Sequence, residues 1–122
     1  MHLEKAKRFF GAAKCCSERG FYDSCASRCY YAVYRAAIAA LEDEGFGRPH
    51  WNHGTLKRVF DRELIGRRGQ FSVEHSDILS NCYYQRVIAD YKDEHIVEEI
   101  AERLIPQVLA FIEAVEEVIS SG

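Results

Sequence analysis

The segment from residue 22 to residue 44 places the strongest constraint on the fold. It reads YDSCASRCYYAVYRAAIAALEDE, and most of its residues are apolar or aromatic. At about 100° per residue, four polar side chains fall in one narrow strip of a helix: Ser24, Arg28, Arg35 and Glu42. A helix that is apolar around most of its circumference has to be covered by other helices. We therefore predict that this segment is the central helix of a bundle.

Four further segments repeat apolar residues with the 3.6-residue period of a helix, and none alternates like a strand. They predict helices at residues 2–18, 55–64, 73–91 and 93–119. The glycine-, proline- and histidine-containing stretch 45–54 is expected to be an irregular loop. We predict an all-α, up-and-down bundle of four to five helices, forming one domain over residues 1–122.

Helix ends and breaks can also be predicted from residue type. Asp23 or Ser24 is expected to cap the second helix, and Ser72 the fourth. Pro106 lies within the fifth predicted helix and is expected to kink or interrupt it.

The composition excludes several classes of protein. A net charge of -3 is unusual for a general nucleic-acid binder, so any RNA contact has to come from a local patch. The sequence has no 18-residue apolar run and no signal-peptide pattern at its start, so we expect a cytoplasmic protein that does not enter a membrane. The five cysteines lie in helical patterns without metal-ligand spacing. Reduced thiols packed in the core are therefore expected, without a bound metal or cofactor.

Arg86 interrupts the apolar stripe of the fourth predicted helix. The stripe contains Ile78, Leu79, Cys82, Tyr83 and Ala89, and Arg86 falls inside it. A buried guanidinium needs a partner, and Asp90, one turn further on, is the nearest candidate. The pair is either a structural ion pair that ties the fourth helix to the second, through Tyr31 or Arg28, or the lining of a cleft that binds phosphate.

Three stretches carry a resemblance to a known family. They are SRCYYAVYRAAIAAL in the second helix, HGTLKRVFDRELI after the loop, and RVIADY at the end of the fourth helix. In this order and spacing they resemble the HEPN domain family (higher eukaryotes and prokaryotes nucleotide-binding), in its small stand-alone prokaryotic branch with an R-x-x-x-D-Y ending. The resemblance covers roughly residues 1–115.

The resemblance implies a helical bundle that forms a homodimer, with the arginines of both subunits in one cleft. It implies a toxin–antitoxin-type module in which the chain is a metal-independent endoribonuclease acting on RNA. The antitoxin would be a minimal nucleotidyltransferase, which in some pairs adenylylates a tyrosine near the arginine motif.

Carried over to this sequence, Arg86 matches the arginine of the R-x(4–6)-H ribonuclease motif. The sequence departs from that motif because positions 91 to 93 are Tyr, Lys and Asp. His95 lies too far along and is expected to begin the next helix.

RNA cleavage needs a group that takes a proton and a group that stabilises the phosphate. Arg86 is the candidate for the second role. Asp90 is a candidate base, although a neighbouring arginine makes a carboxylate a poorer one. His53 is the other candidate, with helix capping or packing as its alternative. Tyr91 is interpreted either as half-buried packing, or as a modification acceptor or base-stacking platform.

Three residues of the second helix complete the set of candidates. Arg28, Tyr31 and Arg35 form either a solvated strip or the opposite wall of the Arg86 cleft. The basic turn GRRG at residues 66–69 is interpreted as a solvated face or a contact for a phosphate backbone.

Three functions remain open on these residues. The chain is an endoribonuclease acting through Arg86, or a non-catalytic partner of a nucleotidyltransferase, or a helical module that binds a nucleotide without reacting with it.

Overall fold

A computed structural model describes residues 1–121. Its α-helices are α1 (His2–Glu18), α2 (Tyr22–Asp43), α3 (His53–Val59), α4 (Val73–Tyr91) and α5 (Glu98–Ser121). A π-helical segment, Phe60–Arg67, continues directly from α3. No strand occurs in this part of the chain. The predicted all-α helical bundle is confirmed.

α2 is the central helix, as its composition predicts. It packs against α1 along most of its length and also contacts α3, α4 and α5. Twelve of its 22 residues are buried, and six of the twelve are alanines. Side chains this small allow the neighbouring helices to approach α2 closely, which is how a short chain covers one helix on several sides.

The start of α2 differs from the prediction. Phe21 is the N-cap and provides no side-chain bond, so the expectation that Asp23 or Ser24 caps this helix is wrong. Asp23 instead holds the connection between α4 and α5. Its Oδ1 accepts a hydrogen bond from the backbone N–H of Ile96 at 2.8 Å, and its Oδ2 lies 2.8 Å from His95 Nδ1.

Those contacts also explain where α5 begins. Residues 92–97 form an irregular connection, and α5 starts at Glu98, five residues later than predicted. The expectation that His95 begins a helix is therefore wrong. α5 then continues through Pro106 as one 24-residue helix, so Pro106 does not interrupt it.

α3 starts two residues earlier than predicted because Asn52 caps it. The Asn52 side chain accepts a hydrogen bond from the backbone N–H of Thr55 at 2.9 Å. The predicted bounds of α4 are confirmed, and Ser72 is its N-cap. The backbone N–H of Ser72 donates to His75 Nδ1 at 3.0 Å, which closes a capping box.

All five cysteines are free thiols. Cys25, Cys29 and Cys82 are buried, as expected of core positions, whereas Cys15 is exposed and Cys16 half-buried. None of the helices in residues 1–121 has the length and apolar character needed to cross a membrane.

The π-helical segment is organised around a buried carboxylate. Glu63 is 5% exposed, and its oxygens lie 3.0 Å from Arg62, 3.4 Å from Arg68 and 3.7 Å from Arg67. Removing one member of a buried ion pair leaves an uncompensated group, although exposed partners reduce the cost. These contacts therefore stabilise the turn that leads into α4.

We predict that Glu63→Gln lowers the free energy of unfolding by about 1–2 kcal/mol, because three partly exposed arginines lose their shared anion. Urea denaturation followed by circular dichroism measures the change. Glu113→Gln is the matched control, since Glu113 is exposed on α5 and forms no ion pair with the other described residues. Equal stability of the two variants would contradict this role of Glu63.

Candidate functional site

Arg86 lies near the end of α4 and faces α2, and its side chain is 18% exposed. Its Nε–H donates to Asp90 Oδ2 at 3.0 Å. Its Nη2 donates to the hydroxyl of Tyr31 at 2.9 Å and to the hydroxyl of Tyr91 at 3.1 Å. Three hydrogen bonds thus fix the plane of the guanidinium.

Three aromatic rings surround the same guanidinium. Its central carbon lies 5.5 Å from the ring centre of Tyr30, 5.4 Å from that of Tyr31 and 5.1 Å from that of Tyr91. These distances allow cation–π attraction, which offsets part of the lost hydration of the charge. We call this group, Arg86 with Asp90, Tyr30, Tyr31 and Tyr91, the Arg86 cluster.

The Nη1 nitrogen of Arg86 has no hydrogen-bond partner among the described residues. A guanidinium has five N–H donors, and the contacts above use three of them. Arg86 therefore presents a fixed, charged donor pair to a ligand, which is the chemistry that recognises phosphate or carboxylate oxygens.

Asp90 joins α4 to α2. Its Oδ2 accepts hydrogen bonds from Arg86 and from the Ser27 hydroxyl, the latter at 3.2 Å. Its Oδ1 accepts no hydrogen bond from residues 1–121. The Arg86–Asp90 pair is thus part of a contact between two helices, as the structural interpretation requires, and it keeps one carboxylate oxygen unpaired at the surface.

Tyr91 is 67% exposed, so its interpretation as half-buried packing is wrong. Its hydroxyl contacts Arg86 while most of its ring faces solvent. Both remaining interpretations, a stacking platform and a modification acceptor, require such exposure.

His53 is the first residue of α3, and Asn52 rather than His53 caps that helix. The imidazole stacks on the Tyr83 ring, with 3.8 Å between ring centres and 3° between planes. Its Nδ1 lies 3.3 Å from the Tyr30 hydroxyl. Burial, and secondarily the positive charge of Lys57, lower the pKa of His53 below the usual value of 6.5.

No hydrogen bond within residues 1–121 joins His53 to Arg86. Tyr30 connects the two, because its hydroxyl meets His53 and its ring faces Arg86. Burial also raises the pKa of Tyr30, which keeps this phenol protonated at neutral pH.

Of the three α2 residues expected to face Arg86, Tyr31 is in direct contact with it. Arg28 donates to the backbone oxygen of Ser24 in its own helix at 3.4 Å. Arg35 lies 3.0 Å from His2 at the start of α1. The two arginines of the basic turn, at positions 67 and 68, share the carboxylate of Glu63, and Arg68 also pairs with Glu44.

Three contributors to the site were not predicted from the sequence. Ser27 bonds to Asp90, while Tyr30 and Tyr83 hold His53. The 3.6-residue period of α2 places Tyr30 among the apolar positions, which predicts a core residue. It is indeed buried, at 4% exposure, so periodicity gave no signal of its polar contact.

The sequence comparisons agree with this fold. The chain matches the HEPN domain over residues 1–118. It is 32% identical to a UPF0332 protein of Archaeoglobus fulgidus over 111 residues, which cover 89% of this chain and 82% of the relative. It is 27% identical over 114 residues to a Methanocaldococcus jannaschii protein named "Putative toxin", covering 93% of this chain and 83% of that protein.

An all-α bundle with an arginine-centred polar cluster is thus matched along nearly its whole length by one domain family. The chain belongs to the HEPN domain family.

We predict that His53 titrates below pH 6.5 in NMR spectra of its imidazole protons, and that Lys57→Gln raises this pKa only partly, because burial is the larger cause. As the pH falls below about 6.5, the unfolded chain then takes up a proton before the native state does, so acidification favours unfolding.

His95 provides the internal control in the same spectra. Its hydrogen bond to Asp23 raises its pKa above the usual value, and Asp23→Asn should remove that shift. A pKa of His53 at or above 6.5 would contradict the packed position between Tyr30 and Tyr83.

Proposed function

We propose that this chain is the toxin-type component of a toxin–antitoxin module, and that it cleaves RNA without a metal ion at the Arg86 cluster of a homodimer. The observation that carries the proposal is the fixed guanidinium of Arg86 with its unpaired Nη1. Because three hydrogen bonds already hold the guanidinium in place, it loses little further conformational entropy when it binds a phosphate. The name of the M. jannaschii relative supports the toxin class.

We propose that a second copy of the chain packs against the exposed surface of α4. Tyr84 and Tyr91 are 62% and 67% exposed and stand seven residues apart on one face of α4, from which the Tyr91 hydroxyl reaches Arg86. Exposed aromatic surface of this kind is enriched at interfaces. We propose a symmetric dimer that covers the exposed Tyr91 ring and, because Tyr91 contacts Arg86, holds the two Arg86 guanidinium groups near one phosphate.

The reaction we propose is attack of the RNA 2′-oxygen on the neighbouring phosphorus. The bond to the 5′-oxygen breaks, which leaves a 2′,3′-cyclic phosphate and a free 5′-hydroxyl. In this reaction Asp90 Oδ1 accepts the proton of the 2′-hydroxyl, and a tyrosine hydroxyl of the cluster returns one to the leaving oxygen. Arg86 stabilises the charge that develops on the phosphoryl oxygens.

A second candidate function rests on the exposure of Tyr91. A minimal nucleotidyltransferase partner would transfer AMP to it: the phenolic oxygen attacks the α-phosphorus of ATP, pyrophosphate leaves, and the phenolic proton is released. The added nucleotide would replace the Tyr91 contact to Arg86 and cover Nη1. This function needs no catalytic group in the chain, and simple binding of a nucleotide at Arg86 would need none either.

We predict that the purified protein cleaves RNA in the presence of EDTA and that Arg86→Ala lowers the rate by about 10²–10³, as expected when one stabilising donor is lost. Gel analysis of labelled RNA fragments gives the rates. Arg28→Ala is the matched control, because Arg28 lies on the facing helix and, within residues 1–121, its side chain bonds only to Ser24. Cleavage by Arg86→Ala at the rate of the unsubstituted protein would refute the assignment.

The base is identified by a second pair of variants. We expect Asp90→Asn to lower the cleavage rate more than His53→Gln does, because the Asp90 carboxylate is the proposed base. The reverse result would assign the base to His53, acting across Tyr30. Sedimentation of each variant shows whether the dimer persists.

The second candidate is tested by mass spectrometry after incubation with ATP and a minimal nucleotidyltransferase encoded beside this chain. Addition of one AMP to the unsubstituted protein, but not to Tyr91→Phe, is the expected result. Tyr84→Phe is the control, since Tyr84 is equally exposed on the same helix. Modification that persists in Tyr91→Phe would exclude this acceptor.

A further inference from the structure

A polar cavity lies one turn of α2 further along from the Arg86 cluster, between the start of α1, the middle of α2 and the irregular connection after α2. Its volume is about 270 Å³. Its polar and aromatic lining consists of His2, Tyr34, Arg35, Arg48, His50 and Trp51. We call it the Arg35 pocket. None of its lining residues belongs to the Arg86 cluster.

The Arg35 pocket is positively charged although the chain as a whole has a net charge of -3. Two arginines and two histidines line it, and no carboxylate does. The nearest acidic contact is Glu42, whose Oε2 lies 3.4 Å from His2 Nε2. Because Arg35 donates to His2 Nδ1, the proton of this imidazole is on Nε2, toward Glu42.

Most of the donors of both arginines are unused. Arg35 bonds through Nη1 to His2, and its Nε and Nη2 have no acceptor among residues 1–121. Arg48 is exposed and forms no hydrogen bond with the described part of the chain; its guanidinium lies 4.3 Å above the Trp51 ring. Two guanidinium groups with free donors match the oxygens of a phosphate.

The wall behind these arginines is rigid. The Tyr34 hydroxyl donates to the backbone oxygen of Trp51 at 2.6 Å, and Trp51 is 7% exposed. The indole N–H of Trp51 is buried without an acceptor in residues 1–121. Tyr34 and Trp51 thus form an ordered wall beside the two guanidinium groups.

From these observations we propose that the Arg35 pocket binds a phosphate group, as a site separate from the Arg86 cluster and independent of the function proposed for it. Arg35 provides the inner donors, and Arg48 turns from the Trp51 ring to provide the outer ones. The phosphate belongs either to a free nucleotide or to an RNA backbone, since both present the same oxygens.

Trp51 is the single tryptophan of the chain and lines this pocket, so its fluorescence reports on a ligand bound there. The protein is titrated at constant ionic strength with inorganic phosphate, with AMP and with a 2′-O-methyl RNA oligonucleotide that cannot be cleaved. We expect a saturable change in Trp51 emission. Saturation by phosphate or AMP identifies a free nucleotide as the source, and saturation by the oligonucleotide alone identifies an RNA backbone.

Four variants locate the bound phosphate. Arg35→Gln and Arg48→Gln should each raise the Kd about tenfold or more, the effect of losing a charge-assisted hydrogen bond. With inorganic phosphate as the probe, Arg28→Gln and Arg86→Gln should leave the Kd unchanged, because neither arginine lines the pocket. Thermal melting shows whether Arg35→Gln still folds; Arg48 is exposed, and its variant gives the same test if Arg35→Gln does not.

Two results would overturn the proposal. The first is the absence of a saturable emission change with any of the three probes. The second is a Kd that depends on Arg86 but not on Arg35 or Arg48, which would place the phosphate at the Arg86 cluster. Arg86→Gln should lower the rate of RNA cleavage without weakening the binding of inorganic phosphate in the Arg35 pocket. Failure of one proposal can therefore be distinguished from failure of the other.

Discussion

The burial of α2 is the constraint on which the rest of the structure depends. A helix whose residues are mostly alanine, cysteine, valine and tyrosine is stable in water only when other helices cover it, and α1, α4 and α5 do so. Its narrow polar strip cannot be buried in the same way. Both polar sites lie beside this strip, Tyr30 and Tyr31 at the Arg86 cluster and Tyr34 and Arg35 one turn further along.

The second determining interaction is the pairing of Arg86. Removing a guanidinium from water is costly unless the protein supplies comparable contacts. Asp90 supplies the charge, two tyrosine hydroxyls supply acceptors, and three rings supply cation–π contacts. The same contacts that make burial tolerable also fix the orientation of Nη1. The structural role of Arg86 and the function proposed for it therefore rest on the same contacts.

Local sequence signals predicted much of this fold. The period of α4, with Ser72 at its start, gave its bounds, and the Arg86–Asp90 spacing gave the central ion pair. The predictions that failed concern residues whose contacts are with residues distant in the sequence. Asp23 looks like a helix cap, but it holds the connection before α5, and nothing near Asp23 in the sequence indicates His95 or Ile96 as its partners.

The same reason explains what was missing from the site. Tyr30 and Tyr83 read as apolar positions of two helices, and only their packing brings them to His53. Arg35 shares a strip with Arg28, so spacing suggested one role for both. The contact with His2 at the start of α1 separates them and places Arg35 in a different pocket. Spacing within a helix predicts which side chains are neighbours, but not what the next helix places against them.

The central claim is that Arg86 binds a phosphate of RNA through Nη1. The most direct measurement is a crystal structure of the protein with an RNA oligonucleotide methylated at its 2′-oxygens, so that it binds without being cleaved. The account predicts a phosphate oxygen within hydrogen-bonding distance, about 2.7–3.2 Å, of Arg86 Nη1. An RNA bound elsewhere, with Nη1 still facing solvent, would contradict it.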